Sequence, residues 1–473
     1  MSDFTLKEIQ KITRGDVVQG DMSDSFKDIS IDSRTVNPGD LFIAIKGDNF
    51  DGHEFVFDAV RKGAKGAVIS KKEALKEELF HKNNGFAPSV IVVDNTLAAL
   101  QKIAQHLREQ IDIPFIAVTG SNGKTTSKEM IASVLETKYA VLKNEGNYNN
   151  HIGVPLTLLK LMPSHDISVL EMGMSGLGEI RRLCEIAKPN TGVLTNISGV
   201  HLEFLGSIEK VKEAKGELVE SIDEKGTVIL NFDDPLVKDL KKKVRGKLIT
   251  YGIDNQDSDI KAERIMNLGI NGSTFLLTVG NEEIEIHLPA IGGYNIYNAL
   301  AAAAVGFVHN VGLENIKKGL EAFRGFPMRM EICPIDDTIK IINDSYNANP
   351  LSMKKAAETL SDIDKKGRSF FVAGDMLELG DASKEAHEDL GRFIAGQSID
   401  FLIVVGELAS SIGKGALESG MKEERVLICN TLKEASGILD EQLKSDDIVL
   451  IKGSRGMRME TIIEELKKTR EIH

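Results

Sequence analysis

The sequence predicts an α/β protein of three domains, and three observations carry that expectation. Short aliphatic runs alternate with helical patterns along most of the chain, the signature of mostly parallel sheets covered by helices. One run, residues 115–118, leads through a glycine-containing loop, residues 120–123, into Lys124, Thr125, Thr126 and an amphipathic helix with Met130, Ile131, Val134 and Leu135 on one face. The length, 473 residues, suits about three domains of ordinary size.

The first domain is expected over residues 1–110 as a small α/β unit. A turn at 37–40 precedes a strand at 41–45; a polar loop at 47–53 precedes a helix at 54–62; strands follow at 67–69 and 88–93, and a helix at 96–110. The tract 71–84 is charged and reads as a solvated helix and loop. The second domain, 111–325, is a P-loop mononucleotide-binding unit with strands at 167–170, 192–195, 228–230 and 248–250. From 260 to 288 the period changes: alternating runs at 273–279 and 282–288 flank Gly280-Asn281, which predicts a hairpin and a small antiparallel appendage. Residues 295–309 form an alanine-rich helix suited to close packing. The third domain, 326–473, has strands at 339–342, 369–373, 401–405, 426–428 and 448–451 separated by helices, a Rossmann-like doubly wound pattern with ligand expected at the carboxyl ends of its strands.

Composition narrows the function class. Lys plus Arg number 58 and Asp plus Glu 71, a net charge of −13, which argues against a nucleic-acid binder with its basic footprint. Hydrophobic residues make up 42%, enough for ordinary cores. Cys184, Cys333 and Cys429 are far apart and read as reduced thiols rather than a disulfide or metal framework. The first 13 residues are polar and amphipathic without a signal-peptide core, and no apolar run approaches the ~20 residues of a membrane helix. The expectation is a soluble, cytoplasmic protein without membrane or nucleic-acid partner.

The chemistry starts at the loop. Amides of Gly120, Ser121, Asn122 and Gly123, with the helix N-terminus that follows, form a cradle for phosphate oxygens. Lys124 would reach the terminal phosphates and Thr125 would hold Mg2+, with Thr126 beside them. Val118 stands where a full Walker A has its first glycine. Glu171 ends a strand; alone it could be a solvated strand end, but after a phosphate loop it reads as a metal ligand. His201 follows another strand, at the sheet edge where a second metal would sit. Residues 210–220 form a charged helix face on which spacing does not separate Lys212 from Lys215.

Thr119-Gly120-Ser121-Asn122-Gly123-Lys124-Thr125 resembles the short phosphate loop of the Mur ligases and folylpolyglutamate synthases. The resemblance implies ATP and two Mg2+ ions. Ala214-Lys215-Gly216-Glu217 is similar to the Mur segment whose lysine is carbamylated by CO2, which selects Lys215 as a metal-binding carbamate alongside His201. The stretch 293–299 resembles the Mur helix start that contacts adenine, through Asn298. Residues 326–331 match the inter-domain segment whose arginine, here Arg329, reaches ATP phosphates; Met328 stands where many relatives carry Gly.

Three stretches of the last domain, 343–350, 374–380 and 451–455, each follow an apolar strand. Together they resemble the family member that joins D-alanyl-D-alanine to UDP-N-acetylmuramoyl-tripeptide. On that resemblance Asp344 and Asn347 contact the nucleotide, Asn343 replacing an Asp of many relatives, while Lys452 and Arg455 contact substrate. Ser33, Arg34, Asp51 and His53 correspond to the uridine-binding unit, and Asn147, Asn149 and Asn150 to the muramoyl-peptide loop. The implied catalytic set is Lys124, His201, Lys215 and Arg329; separately, a monomer is expected. The implied reaction runs through an acyl phosphate that the dipeptide amine then attacks. Other Mur ligases, folylpolyglutamate synthases and a nucleotide-gated binding protein without ligation are the alternatives.

Overall fold

The computed structural model of the chain describes residues 4–47, 50–70, 87–200, 202–335 and 338–471. The tract 71–84 and His201 therefore lie outside the described residues. The chain divides into two compact units: Met1–Ile116 with Ala140–Gly173 and Arg181–Pro189, and Ala117–Tyr139 with Met174–Ile180 and Asn190–His473.

The first unit contains a five-stranded sheet in the order Asp16–Gln19, Ser89–Val92, Gly66–Ile69, Leu41–Ile43, Ile29–Ser30. All neighbours are parallel except the first pair. Its helix-covered face buries Val36, Phe42, Val56, Ala67, Ile69 and Val90. The strands at 41–45, 67–69 and 88–93 are found; Asp16–Gln19 and Ile29–Ser30 are too short or too polar to announce themselves. The helix Thr96–Gln110 starts where Asn95 accepts from the Ala98 amide, a side-chain N-cap. A second element pair, Val141–Lys143 beside Ile167–Glu171 in parallel register, belongs to the same unit.

The second unit begins with the C-terminal half of the strand Phe115–Thr119 and the helix Lys124–Leu135. Strands Thr191–Leu194, Thr227–Asn231 and Lys247–Gly252 pair in parallel, each buried along its length or nearly so, as continuous apolar runs require. The expected antiparallel appendage has three strands rather than two. Ile260–Asn267 pairs with Ser273–Val279, and that with Glu282–Leu288 through a two-residue turn at Gly280 and Asn281. It extends the sheet directly, because Ile260 and Lys261 pair in parallel with Tyr251 and Gly252.

The last sheet of this unit has the order Glu331–Pro334, Lys340–Asn343, Ile448–Lys452, Ser369–Gly374, Phe401–Val405, Val426–Cys429. Only the first pair is antiparallel. Alternation along each strand feeds two cores: Phe371, Ala373, Leu402 and Val404 face one helix layer, and Phe370, Val372, Ile403 and Val405 face the other. Both faces are therefore covered, the doubly wound arrangement expected from the sequence. Three loops leave the carboxyl ends of its neighbouring central strands side by side, after Asn343, Gly374 and Lys452.

The phosphate-loop helix Lys124–Leu135 packs on the alanine-rich helix Tyr294–Val308 and on Leu313–Ala322. At the second contact the backbones nearly touch. A Cβ on Gly319 would lie 2.5 Å from Val134 Cα, and Ser133 Oγ donates to the Gly319 carbonyl at 2.7 Å. Gly319→Ala gains about 0.5–1 kcal/mol of helix propensity, whereas overpacking against backbone costs about 1–3 kcal/mol. The clash wins, so Gly319→Ala should lower the calorimetric melting midpoint by a few degrees. An unchanged or raised midpoint would mean that the two helices do not pack this closely.

Candidate active site

Gly120 sits at φ +152° and Gly123 at φ +79°, backbone that a side chain would not allow here. A Cβ at Gly120 would meet Thr195 Oγ1 at 1.9 Å, and one at Gly123 would meet Asn298 Oδ1 at 2.5 Å. The loop is held from outside. Ser121 N donates to Asn196 O at 2.8 Å, and Asn122 N to Asn196 Oδ1 at 2.9 Å. Thr195 Oγ1 and Asn196 Nδ2 donate back to Asn122 O at 2.7 and 2.9 Å. Thr195 and Asn196 are positioning residues that the sequence reading did not single out.

Two lysines meet at one acceptor. Lys124 Nζ donates to Gly120 O at 2.9 Å and to Ser121 O at 3.2 Å; Lys215 Nζ donates to the same Gly120 O at 2.9 Å. The helix Ile208–Ser221 starts at the Ser207 cap and turns Val211, Ala214, Lys215 and Leu218 inward. Lys212, one turn earlier, pairs with Asp239 at 2.5 Å and keeps partial exposure. The structure thus separates the two lysines that spacing left equivalent. Burial, and then the charge of Lys124, push Lys215 well below the usual lysine value.

Beyond the loop lies a cavity of about 860 Å³, within the range of small-molecule sites. Gly123, Asn298, Tyr297, Ile291, Arg329 and Asp344 are among its walls. Asn298 is buried; its Oδ1 accepts from Ser127 Oγ at 3.0 Å and its Nδ2 donates to Asn295 Oδ1 at 2.8 Å. Its amide therefore braces the loop as well as lining the cavity.

Arg329 Nη2 donates to Thr125 Oγ1 at 3.0 Å, and its guanidinium lies 4.1 Å from the centre of the Tyr346 ring. Its Nε is buried without a hydrogen-bond partner, a donor left over for an anionic oxygen. Met328 and Met330 on either side have φ of +59° and +51°, strained for residues with a Cβ. Their amides are held by Glu331 Oε2 at 2.9 Å and Asp344 Oδ1 at 3.2 Å. Lys452 Nζ is buried and donates to Asp344 Oδ2 at 2.5 Å and Asn347 O at 3.0 Å, which fixes the loop carrying both. Asn347 is exposed, and Arg455 is half-exposed with Glu460 as its acidic partner at 2.8 Å.

In the first unit Glu171 is 2% exposed. Its Oε1 accepts from Asn149 Nδ2 at 2.7 Å, and its Oε2 is buried with no hydrogen-bond partner. Asn144, missed in the sequence, grips the same strand end: its Oδ1 accepts the Glu171 amide at 2.9 Å and its Nδ2 donates to Glu171 O at 3.0 Å. Asn147 is exposed, and Asn150 Oδ1 accepts the Ile152 and Gly153 amides just ahead of the helix Gly153–Leu159. Ser33 is half-buried beside a local ion pair, in which Arg34 binds Asp32 through Nε and Nη2 at 2.9 and 2.7 Å. The Arg34 side chain and backbone hold the Asp32 carboxyl down to about 2. Asp51 Oδ1 lies 2.5 Å from His53 Nδ1, and His53 Nε2 accepts the Ser70 amide at 2.9 Å. His53 therefore carries its proton on Nδ1.

The Lys215 amine binds its proton more weakly in the folded than in the unfolded chain. Between the depressed folded value and 10.5 the unfolded chain holds more protons, so this group makes stability rise with pH. In carbonate-free buffer Lys215→Met should be more stable than the parent near pH 7, and the advantage should shrink as the pH approaches 10.5. Denaturant titrations across that interval measure it; an advantage independent of pH would contradict a charge-excluding site.

Comparison with known proteins gives a consistent picture along the whole chain. The Mur ligase family catalytic domain matches residues 25–108, the Mur ligase middle domain 118–306, and the Mur ligase glutamate ligase domain 328–455. The UDP-N-acetylmuramoyl-tripeptide–D-alanyl-D-alanine ligase of Bacillus subtilis is 36% identical over 98% of both chains. Its Escherichia coli counterpart is 32% identical over 99% of both. A crystal structure of MurF from Acinetobacter baumannii superposes with TM-score 0.89, 31% identity and 99% coverage of each chain. MurF of Thermotoga maritima in complex with ADP gives TM-score 0.81, 28% identity and coverage of 94% and 98%. With its phosphate loop, its three matched domains and these full-length relatives, the chain belongs to the Mur ligase family.

Proposed function

We propose that the chain is an ATP-dependent ligase that joins D-alanyl-D-alanine to UDP-N-acetylmuramoyl-tripeptide, releasing ADP and phosphate, in the cytoplasm and as a monomer. The observation that carries the phosphoryl-transfer half is Arg329 meeting Thr125 at the start of the phosphate-loop helix, with Lys124 and Lys215 on one carbonyl behind it. The names of the full-length relatives support the choice of substrates. The proposed domains are 1–110 for the uridine end, 111–325 for ATP, and 326–473 for the dipeptide and for closure over ATP.

In this reading a substrate carboxylate attacks the γ-phosphate of ATP, the bond to ADP breaks, and an acyl phosphate forms. The dipeptide amine then attacks the acyl carbon, loses a proton, and phosphate leaves. Both steps build negative charge on oxygens. Lys124 and the spare Nε–H of Arg329 are the protein charges proposed to meet it; the Ser121 and Asn122 amides, expected in the phosphate cradle, donate to Asn196 instead, so the cradle is proposed to rest on the rest of the loop and the start of the helix Lys124–Leu135. Asn298, Asp344 and Asn347 are proposed to hold the nucleoside; Ser33, Arg34, Asp51, His53, Asn147, Asn149 and Asn150 the muramoyl nucleotide; and Lys452 and Arg455 the dipeptide side.

Mg2+ fits the donor chemistry. Among the described residues no group of three or more His, Cys, Asp or Glu could hold a metal by itself. Mg2+, however, is commonly held by one or two protein oxygens together with substrate phosphates. Thr125 and Glu171, whose Oε2 is buried without a hydrogen-bond partner, are each proposed as protein oxygens for Mg2+, with His201 and a carbamate on Lys215 proposed for a second ion. The ions would supply positive charge to the phosphate oxygens. A carbamate needs a neutral amine, and the lowered Lys215 pKa supports that.

The reading predicts phosphate release that requires ATP, UDP-muramoyl-tripeptide and D-alanyl-D-alanine together. ATP hydrolysis indifferent to the other two would overturn it. Lys215→Ala should lose at least tenfold in turnover and regain part of it with formate or acetate, whereas Lys215→Arg should stay inactive. Full activity of Lys215→Ala without added carboxylate would exclude the carbamate.

A further inference from the structure

The helix Pro350–Asp362 of the last domain begins with a capping box. Asn349 Oδ1 accepts the Ser352 amide at 2.9 Å, and the Asn349 amide donates to Ser352 Oγ at 3.0 Å. One acceptor satisfies the cap, so the Nδ2 of Asn349 has no role in the helix. It donates instead to Asn122 Oδ1 at 2.7 Å, on the phosphate loop 227 residues away.

Asn122 is the most heavily tied residue of that loop. Its amide and carbonyl are fixed by Asn196 and Thr195, and its Nδ2 donates to Ser198 Oγ at 3.2 Å. The side-chain oxygen is the one part that the nucleotide domain leaves to be satisfied from elsewhere, and a residue of the last domain satisfies it. Nothing in a helix cap requires this: Ser, Thr or Asp would cap equally well, and only Asn supplies both an acceptor for the helix and a donor long enough for the loop.

We propose that Asn349 is a positioning residue for ATP: its amide latches the last domain to the Asn122 side chain, so that docking of that domain favours the nucleotide-binding form of the phosphate loop. The latch deepens the ligase reading and rests on it for turnover, although nucleotide affinity reports on it independently. Asn349 touches no reacting atom in this account. It acts through Asn122, and the Arg329–Thr125 hydrogen bond is a second tie between the same two domains.

The test is a double-variant cycle with Asn349→Ser, which keeps the cap but is too short to reach Asn122, and Asn122→Ala, which removes the acceptor. Each single variant should lose about five- to tenfold in kcat/KM for ATP, the effect of one hydrogen bond, and a similar factor in affinity for a non-hydrolysable ATP analogue. The KM for the muramoyl nucleotide and the melting midpoint should stay at parental values. The double variant should be no worse than the worse single variant. Losses that multiply, or an Asn349→Ser enzyme within twofold of the parent, would overturn the latch. Analogue affinity separates the two readings. A parent that releases no phosphate while the analogue cycle is non-additive refutes the ligase and keeps the latch. A working ligase with an additive cycle refutes the latch alone.

Discussion

The carbonyl oxygen of Gly120 accepts from Lys124 and Lys215, each at 2.9 Å, and the candidate site is arranged around that shared acceptor. Two ammonium groups this close, one of them fully buried, repel each other and are poorly solvated. The site relieves the strain by protonation state: Lys215, with 1% exposure, gives up its charge more readily, and Lys124 keeps access to the loop. The carbonyl can turn toward both because Gly120 adopts φ +152° against Thr195, where any Cβ would clash. A glycine conformation thereby sets the chemistry of a lysine 95 residues away.

The last sheet contributes through the edge where its parallel strands end. The buried Lys452–Asp344 pair ties the loop after Asn343 to the loop after Lys452, while Ser454 receives the loop after Gly374, donating its amide to Asp375 O at 3.0 Å and accepting the Leu377 amide at 2.9 Å. Removing one partner of a buried pair costs about 3–5 kcal/mol, so this cross-linking makes the edge rigid. From it extend Arg329, stacked on Tyr346, and Asn349, and both reach the phosphate loop. Met328 and Met330, in left-handed backbone around Arg329, mark where the chain bends to bring the arginine in.

Much of this was legible in the sequence because it is local. The phosphate loop shows itself through glycines, Lys124 and Thr125 between an apolar strand and a helix, and the doubly wound sheet through runs that bury both faces. What stayed hidden depends on long-range pairing. Spacing could not choose Lys215 over Lys212, because only the packing of their helix decides which turn faces Gly120 and which meets Asp239. Asn196 and Asn349 carry no local pattern that sets them apart, yet each hydrogen-bonds Asn122, from 74 and 227 residues away. Strands of two to four residues such as Ile29–Ser30 and Glu331–Pro334 carry too few residues for a period to be seen. The appendage looked like a separate hairpin because the alternation of Ile260–Asn267 breaks at a register shift between Glu263 and Met266.

The proposed ligation requires that a substrate carboxylate, and not water, take the γ-phosphate at this loop. The direct measurement uses UDP-muramoyl-tripeptide with oxygen-18 in its terminal carboxylates, ATP and D-alanyl-D-alanine, with mass analysis of the phosphate released as product forms. An acyl-phosphate route predicts that each phosphate carries a single oxygen-18 from the carboxylate. Unlabelled phosphate accompanying amide product would contradict it.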